Sequence, residues 1–164
     1  MSKNRELKER HVGEIRERFG RAKSAVVVDY RGLNVAEVTE LRNRFRESDV
    51  EYRVFKNRLV KLALDGTGFE ALEVELTGPN AIAFGYEDAI IPAKVARDFS
   101  RKNNKLEIKG GVVENVYYDA DGIKAIADIP NRETLIAKFL GSIQSPISKL
   151  AYVLSALAEK QEEA

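Results

Sequence analysis

The pattern of hydrophobic and polar residues along the chain predicts short strands and amphipathic helices in regular succession. Continuous apolar runs predict strands, and they cover residues 24–29, 51–55, 81–84 and 106–113, with a short hairpin strand at 116–118. Apolar residues spaced three or four positions apart predict helices, and they cover residues 3–19, 35–47, 58–64, 87–101 and 121–127. Residues 66–78 are predicted to form a loop, because Gly66, Gly68 and Gly78 lie in them and Pro79 follows.

The order of these elements predicts an α+β fold, a ferredoxin-like split βαβ sandwich with an extra N-terminal helix. After that first helix, the elements succeed one another as β-α-β-(α)-β-α-β. The first two strands should run in the same direction, because a helix connects them. Their carboxyl ends should then lie at one edge of the sheet, where the residues that follow them come close together.

Cationic residues follow both of these strands. The first strand is followed at once by Tyr30, Arg31 and Gly32, and the stretch RVFKNRL at 53–59 places cations around the end of the second. Cations bind phosphates, asparagine and backbone groups contact sugars or base edges, and tyrosine can stack on a base. This edge is therefore predicted to bind folded RNA. The candidate RNA-binding residues, which include two lysines of the first helix, are Lys3, Lys8, Tyr30, Arg31, Gly32, Arg53, Lys56, Asn57 and Arg58.

Charge is distributed unevenly, although the formal net charge is only +1. Residues 1–61 contain 16 Lys and Arg against 10 Asp and Glu, a net +6, whereas residues 62–164 contain 11 against 16, a net −5. In the basic part arginine outnumbers lysine by 11 to 5, and its planar guanidinium suits phosphate and stacks on bases. An ordinary solvated surface gives the same counts, so charge alone leaves nucleic-acid binding and plain solvent exposure equally open.

Enzymatic and metal-binding interpretations find little support in the residue types. The chain has no cysteine and one histidine, His11, so no catalytic residue, metal site or cofactor is predicted. Arg31 and Asn57 could form the electrophilic pair of a small acylphosphatase-like enzyme, since ferredoxin-like folds host such enzymes. No nucleophile or general base accompanies them. The phosphatase interpretation is kept as the alternative to RNA binding.

The last segment of the chain has a pattern of its own. Glycine, serine and proline punctuate residues 141–148, and a helix is predicted with Ser145 as N-cap and Pro146 at its first position. Its apolar face consists of Ile147, Leu150, Ala151, Val153, Leu154, Leu157 and Ala158. This face either packs back on the preceding domain or is buried by a partner protein.

A cytoplasmic protein without a membrane segment is expected. The charged start MSKNRELKER lacks the apolar core of a signal peptide. No apolar run approaches the ~18 residues that a membrane helix requires. The absence of cysteine is compatible with a reducing compartment.

Four stretches together resemble the family of bacterial large-subunit ribosomal protein ten, the stalk-base protein. They are VVVDYRGLNVAEVTELRNRFR at 26–46, VFKNRLVKLAL at 54–64, LTGPNAIAF at 76–84 and the short apolar C-terminal helix. The resemblance covers essentially the whole chain in the right order, with Asn80 where threonine is more usual.

The resemblance implies a non-enzymatic, structural constituent of the large ribosomal subunit. Residues 1–130 would form a globular domain that binds large-subunit ribosomal RNA beside ribosomal protein eleven. Residues 131–146 would be a linker with a short helix and a hinge. Residues 147–164 would be a projecting helix that carries dimers of the acidic ribosomal protein twelve, which recruit GTP-bound translation factors. The length of this helix favours two dimers.

Overall fold

The computed structural model describes residues 3–130, 134–144 and 149 of the 164-residue chain, with side chains from residue 6 onwards. The chain divides into two units, Met1–Ile129 and Pro130–Ala164. The predicted C-terminal helix at 147–164 lies outside the described residues, apart from Lys149.

The first unit is built on a five-stranded antiparallel sheet. Its strands are β1 (Ser24–Asp29), β2 (Val50–Val54), β3 (Ala81–Gly85), β4 (Glu107–Val113) and β5 (Val116–Asp119). Their order across the sheet is β2-β3-β1-β4-β5. Both β1 and β2 pair antiparallel with β3, so they run parallel to each other. The predicted α+β fold is confirmed, because β2-β3-β1-β4 is the ferredoxin-like order and β5 extends it as a hairpin on β4.

Helices cover both faces of this sheet. They are α1 (Lys3–Arg21), α2 (Val35–Glu47), α3 (Asn57–Leu64), α4 (Ile91–Lys102) and α5 (Ala120–Ala127). On one face α2, α4 and α5 pack over Val26 and Val28 of β1. On the other face α1, α3 and a 3-10 helix at Glu70–Glu75 pack over Ala25 and Val27. The valine run is buried on both sides because β1 lies in the middle of the sheet, between two helical layers.

The helix starts follow from local chemistry. The Asn34 side chain accepts a hydrogen bond from Glu37 N at 2.8 Å, and the Glu37 carboxylate accepts one from Asn34 N at 2.7 Å. This capping box fixes the start of α2 at the predicted residue. Helix α4 begins at Ile91, four residues later than predicted, because Pro92 is tolerated only in the first turn. The Asp88 side chain closes the preceding turn by accepting from Ile90 N at 2.8 Å.

A β-bulge interrupts β4 at its glycine pair. Val28 is paired with Ile108 and Val27 with Gly110, so Lys109 is the extra residue of the longer strand. A Cβ at Gly111 would lie 2.9 Å from both the Ala25 carbonyl oxygen and the Ile123 side chain. Glycine therefore lets β4 approach β1 and α5 closely at this point.

Helix α1 is anchored to the sheet by apolar and ionic contacts. Phe19 is fully buried, and its ring lies 5.0 Å from that of Phe84. The Glu51 carboxylate of β2 accepts hydrogen bonds from Tyr86 Oη at 2.5 Å and from Arg18 Nε of α1 at 3.2 Å. Burial raises the pKa of Glu51, but the hydrogen bonds from Tyr86 and Arg18 outweigh this effect and hold the pKa below its ordinary value of 4.5. Ionised Glu51 therefore ties α1 to the sheet.

We expect Tyr86→Phe to lower the free energy of unfolding by about 1 kcal/mol at neutral pH, because it removes a hydrogen bond to a charged acceptor. The pKa of Glu51 is depressed in the folded state, so the stability it contributes is present above pH 4.5 and is lost as the pH falls through the folded-state pKa. Urea unfolding at pH 7 and pH 3 should show the difference between variant and wild type shrinking in acid.

The matched control for this measurement is Tyr118→Phe, whose hydroxyl makes no hydrogen bond to any residue that the structure describes. It should stay within about 0.5 kcal/mol of wild type at both pH values. Equal stability of Tyr86→Phe and wild type at pH 7 would contradict the role given to Glu51.

Candidate nucleic-acid interface

The carboxyl ends of β1 and β2 lie at one edge of the sheet, with the start of β3 between them. Val28 and Val54 are both paired with Ala81, from opposite sides of β3. Neighbouring strands are about 4.8 Å apart, so the two chains leave the sheet about 10 Å from each other. We call residues 29–32, 55–58 and 76–80 the strand-end edge.

Arg31 is an exposed cation of this edge whose side chain is held in one orientation by Asp29. Its backbone N–H donates to Asp29 Oδ1 at 3.0 Å, and its guanidinium Nε and Nη2 lie 3.1 Å and 3.0 Å from Asp29 Oδ2. The Arg31 side chain is 69% exposed, whereas that of Asp29 is 3% exposed. Burial raises the pKa of Asp29, but the hydrogen bonds from Arg31 and the charge of Lys109 outweigh it, so the net shift of the pKa is downward. Asp29 is therefore a buried anion that orients the Arg31 guanidinium at the surface.

The two neighbours of Arg31 have structural roles in the turn. The half-buried Tyr30 packs against the core cluster beneath α2 and α4. Gly32 has a φ of +80°, which residues with a side chain rarely adopt, and it lets the chain turn from β1 towards α2. Within the segment 30–32, Arg31 is the residue that presents a charge to solvent.

Lys109 is a second cation at Asp29, and sequence reasoning missed it. Its Nζ lies 3.5 Å from Asp29 Oδ2 and donates to Asn80 Oδ1 at 2.8 Å and to the Thr77 carbonyl oxygen at 2.5 Å. The Lys109 side chain is 15% exposed. The signals in the sequence were a carboxylate at the end of a buried strand and a lysine just before the glycine pair Gly110 and Gly111.

The loop at 76–80 is held by side chains of α3 and β4 and by one of its own residues, Asn80. Asn57, the first residue of α3, donates from Nδ2 to the Gly78 carbonyl oxygen at 2.7 Å. Asn80 donates from Nδ2 to the Glu75 carbonyl oxygen at 3.1 Å. Lys109 contributes the bonds to Thr77 and Asn80. The structure thus places Asn57 at the strand-end edge with its amide nitrogen bound to the loop.

A groove between α1 and α3 brings another predicted lysine to this edge. The groove has a volume of about 1030 Å³ and is lined by Lys8 of α1 together with Lys56, Asn57 and Arg58. Its other lining residues are mostly apolar, and the exposed ones include Leu7 and Leu62 at 50% and 58%. Residues far apart in sequence therefore share one cationic rim. The sequence analysis included Lys8 among the candidates but did not place it beside Lys56 and Arg58.

Two of the predicted RNA-binding residues lie apart from this group or cannot be placed. Arg53 belongs to β2 and forms an ion pair with Glu51 at 3.1 Å, with its side chain 57% exposed. The side chain of Lys3 is not among those that the structure describes.

The geometry does not assemble an electrophilic pair for phosphate hydrolysis. Arg31 is bound to Asp29, and Asn57 is bound to the Gly78 carbonyl group.

Among the described residues, no group of three or more His, Cys, Asp or Glu side chains could hold a metal ion. Within the same residues, no helix is long and apolar enough to cross a membrane.

The second unit contains a helical segment at residues 134–144. It carries large apolar side chains that are each 43% exposed or more, namely Leu135, Ile136, Phe139, Leu140 and Ile143. The predicted partner-binding residues Ile147, Leu150, Ala151, Val153, Leu154, Leu157 and Ala158 all lie outside the described residues.

Comparison with known proteins gives matches along nearly the whole chain. Residues 3–101 match the family described as ribosomal protein L10, and residues 129–164 match the family described as the ribosomal protein uL10 C-terminal region. A protein of Clostridium tetani is 51% identical over 162 residues, covering 99% of this chain and 94% of the relative. A protein of Alkaliphilus metalliredigens is 48% identical over 163 residues, covering 99% and 98%. Both relatives are named large ribosomal subunit protein uL10.

Proposed function

Because this chain belongs to the ribosomal protein L10 family, we propose that its first unit binds large-subunit ribosomal RNA at the base of the stalk. Membership of this family makes the protein a structural constituent of the large ribosomal subunit, found on ribosomes in the cytoplasm. The strand-end edge and the adjoining cationic rim at Lys8 are the surface that we assign to RNA. Ribosomal protein eleven is proposed as its neighbour there, as the resemblance implies.

The observation that carries this proposal is the exposed, oriented guanidinium of Arg31 beside a second cationic group on the same edge. Arg31 is held by Asp29, so little side-chain freedom is lost when a phosphate binds to it. Lys56 and Arg58 are exposed about two strand spacings away and line the groove with Lys8. A rigid edge with separated cations suits the backbone of a folded RNA, which is recognised largely by shape and phosphate position.

We further propose that the C-terminal segment carries the acidic stalk protein, ribosomal protein twelve, as two dimers that recruit GTP-bound translation factors. The proposed contacts are Ile147, Leu150, Ala151, Val153, Leu154, Leu157 and Ala158. Support comes from the match of residues 129–164 to the C-terminal region of the family and from the helical apolar spacing of these residues. We propose no catalytic role for any residue.

Replacing Arg31 or Lys56 with alanine should weaken binding to a stalk-base RNA fragment by about 1–3 kcal/mol each, if each makes a charge-assisted contact. Folding should be largely spared, because both side chains are exposed. Circular dichroism and gel-shift titration of the two variants measure the two properties separately.

The matched control is Lys94→Ala, which removes an exposed charge near the start of α4. Because α4 follows β3, this residue lies towards the opposite edge of the sheet, and RNA affinity should be unchanged. If Arg31→Ala or Lys56→Ala impaired folding but left the affinity of the folded fraction unchanged, these residues would be structural. Hydrolysis of an acyl phosphate by wild type that is lost in both variants would favour the phosphatase alternative.

A further inference from the structure

Asp29 is a buried carboxylate that forms ion pairs with two cations, both at its Oδ2 atom. The Arg31 side chain is 69% exposed, whereas the Lys109 side chain is 15% exposed. The three groups together carry a net charge of +1, because one anion is shared by two cations. An Asp29–Arg31 pair without Lys109 would be neutral.

We propose that Lys109 is a positioning residue of the RNA interface, which neutralises Asp29 from within so that the charge of Arg31 remains available to a phosphate. This inference rests on the proposed RNA-binding function. Lys109 also holds the loop at 76–80 in place through its hydrogen bonds to Thr77 and Asn80.

The electrostatic reason is the short range of the Asp29–Arg31 contact. A phosphate that approaches Arg31 also approaches the Asp29 carboxylate, 3.0 Å from Nη2, and like charges repel strongly where water is partly excluded. A second, less exposed cation at the same carboxylate offsets this repulsion. Lys109 Nζ is that cation, at 3.5 Å from Asp29 Oδ2.

The position of Lys109 follows from the bulge in β4. Its backbone is the extra residue opposite Val27 and Val28, and bulges re-aim side chains relative to a regular strand. The ammonium group donates hydrogen bonds to Asn80 Oδ1 and the Thr77 carbonyl oxygen. With two hydrogen-bond acceptors, an ion pair to Asp29 and little exposure, Lys109 is engaged inside the domain rather than with a phosphate.

Lys109→Met should therefore weaken binding to the stalk-base RNA fragment about tenfold, because the Arg31 charge is then compensated by Asp29. Lys109→Gln is the second variant, since an amide can still donate to the loop while the charge is absent. It should lose affinity to a similar extent if charge is the cause. Circular dichroism confirms that each variant is folded at the temperature of the titration, and Lys94→Met serves as the control for loss of one lysine charge.

Two double variants separate positioning from direct contact. Arg31→Ala should cost little further affinity in the Lys109→Met background, because the two residues act as one unit. Asp29→Asn should restore affinity in that same background, because it removes the charge that Lys109 offsets. Non-additivity is not expected of a residue that merely packs or that touches a phosphate itself.

Three results would overturn the inference while leaving the proposed function intact. They are wild-type affinity in both Lys109 variants, strictly additive losses for Lys109→Met and Arg31→Ala, and failure of Asp29→Asn to restore binding. If wild type itself did not bind the RNA fragment, the proposed function would fail first, and the inference with it.

Discussion

Deleting residues 146–164 is expected to abolish binding of the acidic stalk protein and to leave RNA affinity unchanged. The residues assigned to the stalk protein begin at Ile147, whereas the strand-end edge lies within the first unit, Met1–Ile129. Co-expression followed by affinity purification tests the first effect, and gel-shift titration tests the second. If the truncated protein still retains the dimers, the apolar face of residues 147–158 packs on its own domain in the full-length chain instead.

The same segment should accept two dimers rather than three. The predicted helix Ile147–Glu163 has 17 residues and would span ~25 Å at 1.5 Å per residue. Each dimer then buries two to three turns, the first near Ile147 and Leu150 and the second near Leu154 and Leu157. Native mass spectrometry of the co-expressed complex should count four copies of the stalk protein, and six would refute the argument from length.

A shorter truncation sharpens this count. Removing residues 154–164 should leave one dimer, because the second set of apolar residues is lost while the first remains. Phe139→Ala is a matched control in the helical segment at 134–144, where the side chain is 65% exposed. It should leave four copies bound, and a lower count would extend the stalk-binding surface into that segment.

The fragment 1–129 is expected to fold alone and to bind stalk-base RNA with a steep dependence on salt. It contains the whole five-stranded sheet and both helical layers. Each phosphate contact releases counterions, so about four contacts would reduce affinity about a hundredfold between 50 and 200 mM salt. Filter binding across this range measures the slope, and circular dichroism shows whether the fragment is folded.

A matched comparison in that experiment is Arg31→Ala within the fragment. Its slope of log affinity against log salt should be shallower by about one, because one phosphate contact is removed. Lys94→Ala should leave the slope unchanged. A folded fragment whose binding is insensitive to salt, or absent, would contradict the assignment of the strand-end edge to RNA.

Much of the fold was predictable because the signals that specify it are local in sequence. A continuous apolar run predicted the strand β1, and Asn34 as a plausible N-cap indicated the start of α2. The parallel direction of β1 and β2 followed from the helix between them, and it placed Arg31 and Lys56 at one edge. These inferences need only the period of the side chains and the rule that a connecting helix joins strands that run in the same direction.

The partners of individual polar side chains were decided only by the tertiary structure. Lys109 meets Asp29 because β4 pairs with β1 and because a bulge re-aims the lysine, and neither the register nor the bulge can be read from a run of apolar residues. Asn57, which the sequence indicated as an RNA contact, donates a hydrogen bond from its amide nitrogen to the Gly78 carbonyl oxygen in a distant loop. The sequence by itself determined which strands and α-helices form and which edge carries the cations, but it predicted a loop where the 3-10 helix Glu70–Glu75 lies. The packing of strands and helices determined which charges are compensated inside the domain and which remain available to a partner. An ion pair requires its two groups to lie within a few ångströms of each other, and the periodicity of the sequence does not show which distant residues come that close.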